Sequence, residues 1–172
     1  MQFNHDNMTG PLLAAELASL AADAWTIGGA ERTLEWHRIR RAELSQESSE
    51  RLRQWAVQLR SVFSAGNEEL RYREINRLLE AGTTRAYLTT HDGLKPHLHF
   101  TSDDDDVVAR VKAVTAGGLA LFTVEAEGGR LGACTRAGCP QVFVDTSRNG
   151  RRAFCSAKCG NYVAVRRHRG LT

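Results

Sequence analysis

No cysteine precedes position 134 in this chain of 172 residues, so disulfide staples and thiol chemistry are excluded from its larger N-terminal part. Long apolar runs are also lacking. Nothing in the sequence approaches the roughly 20 residues that cross a bilayer, and the expectation is a protein with no membrane span. Residues 1 to 25 carry no basic segment followed by an apolar run and a small-residue cleavage site, which points to the cytoplasm. A phosphate-cradling glycine loop, a Gly-x-Ser-x-Gly elbow and a His-Glu-x-x-His helix are all missing, so the expectation is a protein that is not an enzyme. Acids are nearly absent from one end. Residues 130 to 172 hold nine Lys/Arg against a single acid, Asp145, a balance of +8, whereas residues 1 to 129 hold 14 basic and 19 acidic residues, a balance of −5.

What is present is concentrated in that basic end. Its four cysteines are spaced Cys134-x4-Cys139-x15-Cys155-x3-Cys159, two short-spaced pairs joined by a longer loop. Such a grouping lets one segment supply two corners of a tetrahedron and the other close it around one structural Zn2+. The alternatives are two disulfides, which need an oxidising compartment, or four unrelated buried thiols. A segment of about 40 residues buries too little surface to hold itself together, so zinc would supply most of its folding free energy and its loss would leave the segment disordered. With all four thiolates used as ligands, no open zinc position remains for an activated water.

The N-terminal part has a helical pattern. Apolar residues at Leu12, Leu13, Leu17, Leu20, Ala21 and Ala24 predict a helix from Pro11, in its first turn, to Trp25, with Gly28-Gly29 as its stop. A weaker helix is predicted over Glu31 to Leu44, with Leu34 and Ile39 inward. The stripe Leu52, Trp55, Ala56, Leu59, Val62 and Phe63 predicts a strong one over Gln46 to Ala65, capped by Ser48 or Ser49. Asn67 suits the cap of a further helix with Leu70, Ile75, Leu78 and Leu79 inward, ending at Gly82. Residues 83 to 101, rich in β-branched and aromatic types around His91-Asp92-Gly93, predict a β-hairpin. The acidic run at 103 to 106 lacks calcium-loop spacing and suits the amino end of a helix carrying Val107, Val111, Val114, Gly118, Leu121 and Phe122. Neither an internal repeat nor a long disordered linker is visible.

Within the basic end, Pro140 to Phe154 suggests a second hairpin, entering on Val142-Phe143-Val144 and turning at Arg148-Asn149-Gly150. Cys155 and Cys159 then share one face of a helix start, with the helix running to about Arg169. Lys158, Asn161, Tyr162, Val165 and Arg169 fall on the face away from the metal, Arg166 and Arg167 flank them, and Val163 points inward. With Arg148, Arg151 and Arg152 of the turn, they form a candidate nucleic-acid surface: a helix of this kind fits a major groove, where arginine meets guanine edges or phosphates. An acidic protein partner is the alternative for so basic a surface.

The run Arg130-Leu131-Gly132-Ala133-Cys134, Cys139, Val142 through Ser156, and Cys159-Gly160-Asn161 closely resembles the CGNR zinc finger. In that family the finger closes a chain whose larger N-terminal part is called the ABATE domain, associated with stress-induced transcription regulators. His97-Leu98-His99-Phe100 and Ile75-Asn76-Arg77-Leu78 look like ABATE features, whereas the family's Asp-Phe-x-Asn-Thr type opening is not visible. The name-giving Cys-Gly-Asn-Arg stands here as Cys159-Gly160-Asn161-Tyr162, and the lysine expected two positions later is Ala164. Two positive charges are thereby missing from the helix, and each would have contributed counterion release on a duplex.

His97 and His99 project from one face of a strand and form a candidate ligand pocket or metal pair, though no third ligand has a fixed spacing. The expected fold is α+β, with residues 1–129 a mostly helical, ABATE-like domain containing the hairpin at about 83–101, and residues 130–172 a small treble-clef-like finger of hairpin plus helix. The resemblance implies a DNA-binding transcriptional regulator whose N-terminal domain senses a small-molecule ligand or mediates assembly, a homodimer being one form of that. A zinc-dependent adaptor for a protein partner is the competing expectation.

Overall fold

Apolar residues three and four apart build four of the helices that the computed structural model contains, and residues 5–90, 96–102, 104–126 and 129–170 are those it describes. Helix α1 spans His5–Asp23, α2 Ile27–Trp36, α3 Gln46–Ser64, α4 Glu68–Gly82 and α5 Val107–Glu125. Between α4 and α5, β1 (Tyr87–Thr89) pairs antiparallel with β2 (His97–His99), in the register Tyr87 to His99 and Thr89 to His97. The expected hairpin is therefore present; its turn at His91-Asp92-Gly93 lies outside the described residues. A second antiparallel pair, β3 (Leu131–Ala133) with β4 (Val142–Val144), precedes α6 (Ala157–His168).

The stripe on α3 is buried as its spacing predicts, from Leu52 through Phe63. Its cap is Ser45 rather than Ser48 or Ser49: the Ser45 hydroxyl accepts from the Ser48 amide, while Ser49 is buried and accepts from the Trp25 indole at 3.1 Å. Asn67 caps α4 as expected, accepting from the Leu70 amide. Leu70 itself is exposed, because the inward face of α4 is set by Ile75 and Leu78.

Helix α1 begins well before Pro11, which lies inside it instead of in its first turn. The reason is tertiary. A Cβ on Gly10 would meet the Gly118 Cα at 2.7 Å, so the backbones of α1 and α5 touch where both helices lack side chains, and the Pro11 ring packs beside that crossing. Gly28-Gly29 do not stop α1. They occupy the first turn of α2, whose cap Thr26 accepts from the Gly29 amide at 3.0 Å. Consequently α2 starts before Glu31 and ends at Trp36, not Leu44. Arg38 takes a positive φ of 58° beyond it, and Ile39 reaches the core from outside the helix.

Helix α5 runs through the middle of the bundle, against α1 on one side and α4 on another. Its fully buried line is Val108, Val111, Thr115, Leu119 and Phe122, with Ala116 and Gly117 also covered, which blurs any one-sided period. By length and composition alone this helix is apolar enough to cross a bilayer, contrary to the sequence expectation; half of the stretch is buried inside the bundle, as in a core helix. Of its two buried hydroxyls, that of Thr115 is satisfied: it accepts from the Trp55 indole at 2.9 Å and donates to the Val111 carbonyl at 2.7 Å, whereas that of Thr123 has no hydrogen-bond partner. Asp106 caps the helix through the Ala109 amide, and Asp105 accepts from the Ser102 amide and the Thr101 hydroxyl, so these two carboxylates serve helix-start geometry. Asp103 lies outside the described residues.

The β3–β4 ribbon packs on this bundle. Leu131, Val142 and Val144 belong to the same buried cluster as Leu17, Leu59 and Val62, and Ala133 packs against it, while Phe143 and Gly132 face the other way. Polar contacts fasten the same seam: Ser19 exchanges hydrogen bonds with the backbone of Val142, Arg71 donates to the Leu131 carbonyl at 3.1 Å, and Arg60 donates to the Pro140 carbonyl.

Candidate metal centre and basic face

The hairpin expected over Pro140 to Phe154 is not formed, since β4 takes β3 as its partner instead of residues 151 to 154. Arg151 to Phe154 run as irregular chain, tied to the first cysteine loop where Thr135 donates its amide and its hydroxyl to the Ala153 carbonyl. That first loop is a tight turn: the Cys139 amide donates to the Arg136 carbonyl, and Gly138 supplies a φ of +73°. The second pair of cysteines sits at the start of α6. Ser156 caps this helix by accepting from the Cys159 amide, which fixes Cys155 just outside the helix and Cys159 in its first turn.

These two segments bring all four sulfurs together, every Sγ within 4.8 Å of every other. The Cys139–Cys155, Cys155–Cys159 and Cys139–Cys159 separations are 3.8, 3.6 and 3.9 Å. A tetrahedron with zinc–sulfur bonds of about 2.3 Å has edges of about 3.8 Å, whereas a disulfide needs about 2.05 Å. The donor set therefore fits one structural Zn2+, and the disulfide alternative falls away, all four cysteines being free. When bound, zinc supplies a cross-link between the two segments and a dication that keeps four thiolates together. The protein alone arranges them unevenly: the Gln141 amide brings Cys139 down to about 6, whereas burial, aided by the neighbouring sulfurs, pushes Cys155 up to about 12. The Arg136 guanidinium also faces Cys139 and Cys159.

Two residues that sequence reasoning passed over shape the loop between β4 and the second cysteine pair. Asp145 is buried, and accepts from the Ser147 amide at 2.9 Å and the Arg152 amide at 2.7 Å. Burial works against its charge, but these donors hold its carboxyl below the ordinary carboxylate range. Arg130, with a positive φ of 76°, donates to the Asp145 and Ser147 carbonyls from the opposite side. The signal for Asp145 was available as the sole acid in a strongly basic segment; that of Arg130 was not, because it depends on the backbone turn.

Of the candidate nucleic-acid residues, Lys158, Asn161, Tyr162, Arg166, Arg167 and Arg169 are all exposed on α6 or at its end, and Val163 is half-buried on the inner side. Arg148 and Arg151 are exposed on the loop. Arg152 is exposed too, yet its guanidinium donates to the Phe154 and Cys155 carbonyls and lies 4.9 Å from the Phe143 ring centre, which gives it a part in holding the metal loop. Tyr162 lies between Arg136 and Arg166, at 5.3 and 5.9 Å from its ring centre. No helix or strand packs extensively along α6 among the described residues, and its only buried side chain is Cys159.

The candidate histidine pocket is less developed. His99 is half-buried, with Nδ1 at 3.3 Å from the Tyr87 hydroxyl and the two rings edge to face. The His97 side chain and His91 lie outside what is described. Among the described residues, the cysteine quartet is the one cluster of three or more metal-ligating side chains within reach of a single ion.

In comparison with known proteins, residues 130–170 match the family model of the CGNR zinc finger. A search of curated proteins gave no match.

Proposed function

We propose that the CGNR-type zinc finger at residues 130–170 binds duplex DNA through the outer face of α6, and that the chain is a cytoplasmic, non-enzymatic transcriptional regulator. The observation that carries this reading is the exposure of Lys158, Asn161, Arg166, Arg167 and Arg169 along a helix whose inner side is given over to the metal. A helix is about 10–12 Å in diameter and so fits into a major groove about 12 Å wide, with the 12 residues of α6 extending about 18 Å along its axis. The zinc-held thiolates carry two net negative charges, which offsets only part of the +8 of residues 130 to 172. Enough positive charge remains for counterion release from several phosphates. The acidic helical part is then the ABATE-like half, its role to sense a stress-linked ligand or to mediate assembly, including dimerisation.

Selection of bound sequences from a random duplex pool with the zinc-loaded protein is the test, followed by anisotropy across a salt series. An enriched motif and a steep fall of affinity with salt are expected; absence of binding to any duplex at low salt overturns the proposal. A second reading, an adaptor for an acidic protein, is favoured by Tyr162 and Ala164, where the resemblance leads one to expect arginine and lysine. It gains if a captured complex survives nuclease treatment.

A further inference from the structure

Beside the metal centre stands a buried donor that the fold leaves unused. Arg136 lies in the turn between Cys134 and Cys139, where its carbonyl accepts from the Cys139 amide at 3.0 Å. The residue is half-buried, yet its Nε atom is fully enclosed and has no hydrogen-bond partner. No carboxylate pairs with it among the described residues, and the one acid of the segment, Asp145, is taken by the Ser147 and Arg152 amides. A guanidinium N–H enclosed in this way costs free energy unless an anion lies close by. The anions within reach are sulfurs: the guanidinium faces Cys139 and Cys159, one from each of the two segments that build the site. The Tyr162 ring, one turn beyond Cys159, lies 5.3 Å from the same guanidinium, and Arg166 donates to the Tyr162 hydroxyl at 3.3 Å.

We propose that Arg136 is the outer-sphere counter-charge of the zinc thiolates: a positioning residue, not a ligand, whose guanidinium is shared by Cys139 and Cys159. Four thiolates around one Zn2+ leave two net negative charges in a partly buried site, where a nearby cation interacts more strongly than it would in water. A guanidinium placed against two of the sulfurs offsets that charge and favours assembly of the donor set. It also draws electron density from the sulfurs it faces and makes them poorer nucleophiles, which keeps the site a structural cross-link and not a reactive zinc thiolate. The inference concerns the metal centre alone, so it stands or falls independently of what α6 binds.

Arg136→Met keeps an unbranched stem and removes the charge. In the full chain its zinc affinity, measured by competition with a chromophoric chelator, should fall about tenfold to hundredfold. The cobalt(II)-loaded protein reads the sulfurs directly. Its thiolate-to-metal charge-transfer bands should move to lower energy in Arg136→Met, because a thiolate without a neighbouring cation gives up an electron more readily. Arg136→Lys restores the charge and should lie closer to the wild type than to Arg136→Met on both measures. Complete loss of metal by Arg136→Met with recovery in Arg136→Lys is the same result in its extreme form. The proposal is overturned if Arg136→Met binds zinc within about twofold of the wild type, a change far below that of a lost outer-sphere partner. It is also overturned by a loss of affinity with unmoved bands, or by Arg136→Lys faring no better than Arg136→Met, either of which would assign Arg136 to the packing of the cysteine loop.

Discussion

Helix α3 buries seven side chains, among them Trp55, Leu59 and Phe63, whereas α6 buries one, Cys159. The two helices have the same backbone and similar starts, a serine cap on each, yet their stability has different sources. Around α3 the free energy comes from apolar area removed from water against α1, α4 and α5. For α6 that term is nearly absent, and a cross-link through four sulfurs takes its place. The dividing line does not coincide with the start of the zinc finger: β3 and β4 put Leu131, Val142 and Val144 into the bundle core, so the first half of the finger is held as the helices are and the second half as a metal domain is. A helix held only by its first turn keeps its outer face free for a partner.

Removing the metal should break this contrast most sharply. Chelation, or Cys159→Ser, is expected to release one equivalent of zinc and to abolish the helicity of Ala157–His168, with about 10–16 kcal/mol of metal-binding free energy lost from that end. Trp25, Trp36 and Trp55 all precede the finger, so their fluorescence should hold steady as the far-ultraviolet dichroism falls; full zinc retention by the variant would contradict the ligand assignment. The opposite perturbation, Leu52→Ala in the fully buried stripe of α3, should cost about 2–5 kcal/mol in denaturant unfolding while the folded variant still holds one zinc.

A smaller effect belongs to the loop between the two regimes. Asp145→Ala strands the Ser147 and Arg152 amides and should cost about 1–3 kcal/mol locally, seen as faster exchange of those two amides. Because the folded pKa of Asp145 is lowered, its stabilisation is complete above the ordinary carboxylate value and is lost as pH falls through the lowered one. The gap between wild type and variant should therefore be full at neutral pH and close only in that acidic range. The smallest expected change in stability is for Tyr162→Arg, near zero at an exposed site. On the proposed function it should raise duplex affinity and steepen the salt slope by about one unit, and an unchanged slope would count against α6 as the DNA-facing helix.

The legible parts of this molecule are those in which a local pattern is sufficient. The α3 stripe repeats at helical spacing over a full helix, Asn67 and Asp106 have the short oxygen a cap requires, and four cysteines in two close pairs have few arrangements other than one metal site. Misreadings fell where a distant segment decides. Pro11 lies inside α1 because α5 meets it at Gly10 and Gly118, and α5 conceals its inward face because neighbours cover it on more than one side. Val142-Phe143-Val144 looks like the arm of a hairpin with residues 151 to 154, yet pairs backward with Leu131–Ala133, since only that ribbon turns its valines into the bundle core.

By itself, then, the order of residues determined the zinc ligands, the sign of charge at each end, and most helices, since these rest on neighbours within a few turns of chain. The tertiary structure alone decided that the finger's ribbon shares the bundle's core, that Asp145 and Arg130 brace its loop, and that the Arg136 guanidinium faces the sulfurs of Cys139 and Cys159. Each of those depends on surfaces brought together from far apart in the chain, where packing and hydrogen-bond satisfaction select one pairing among several that local pattern allows.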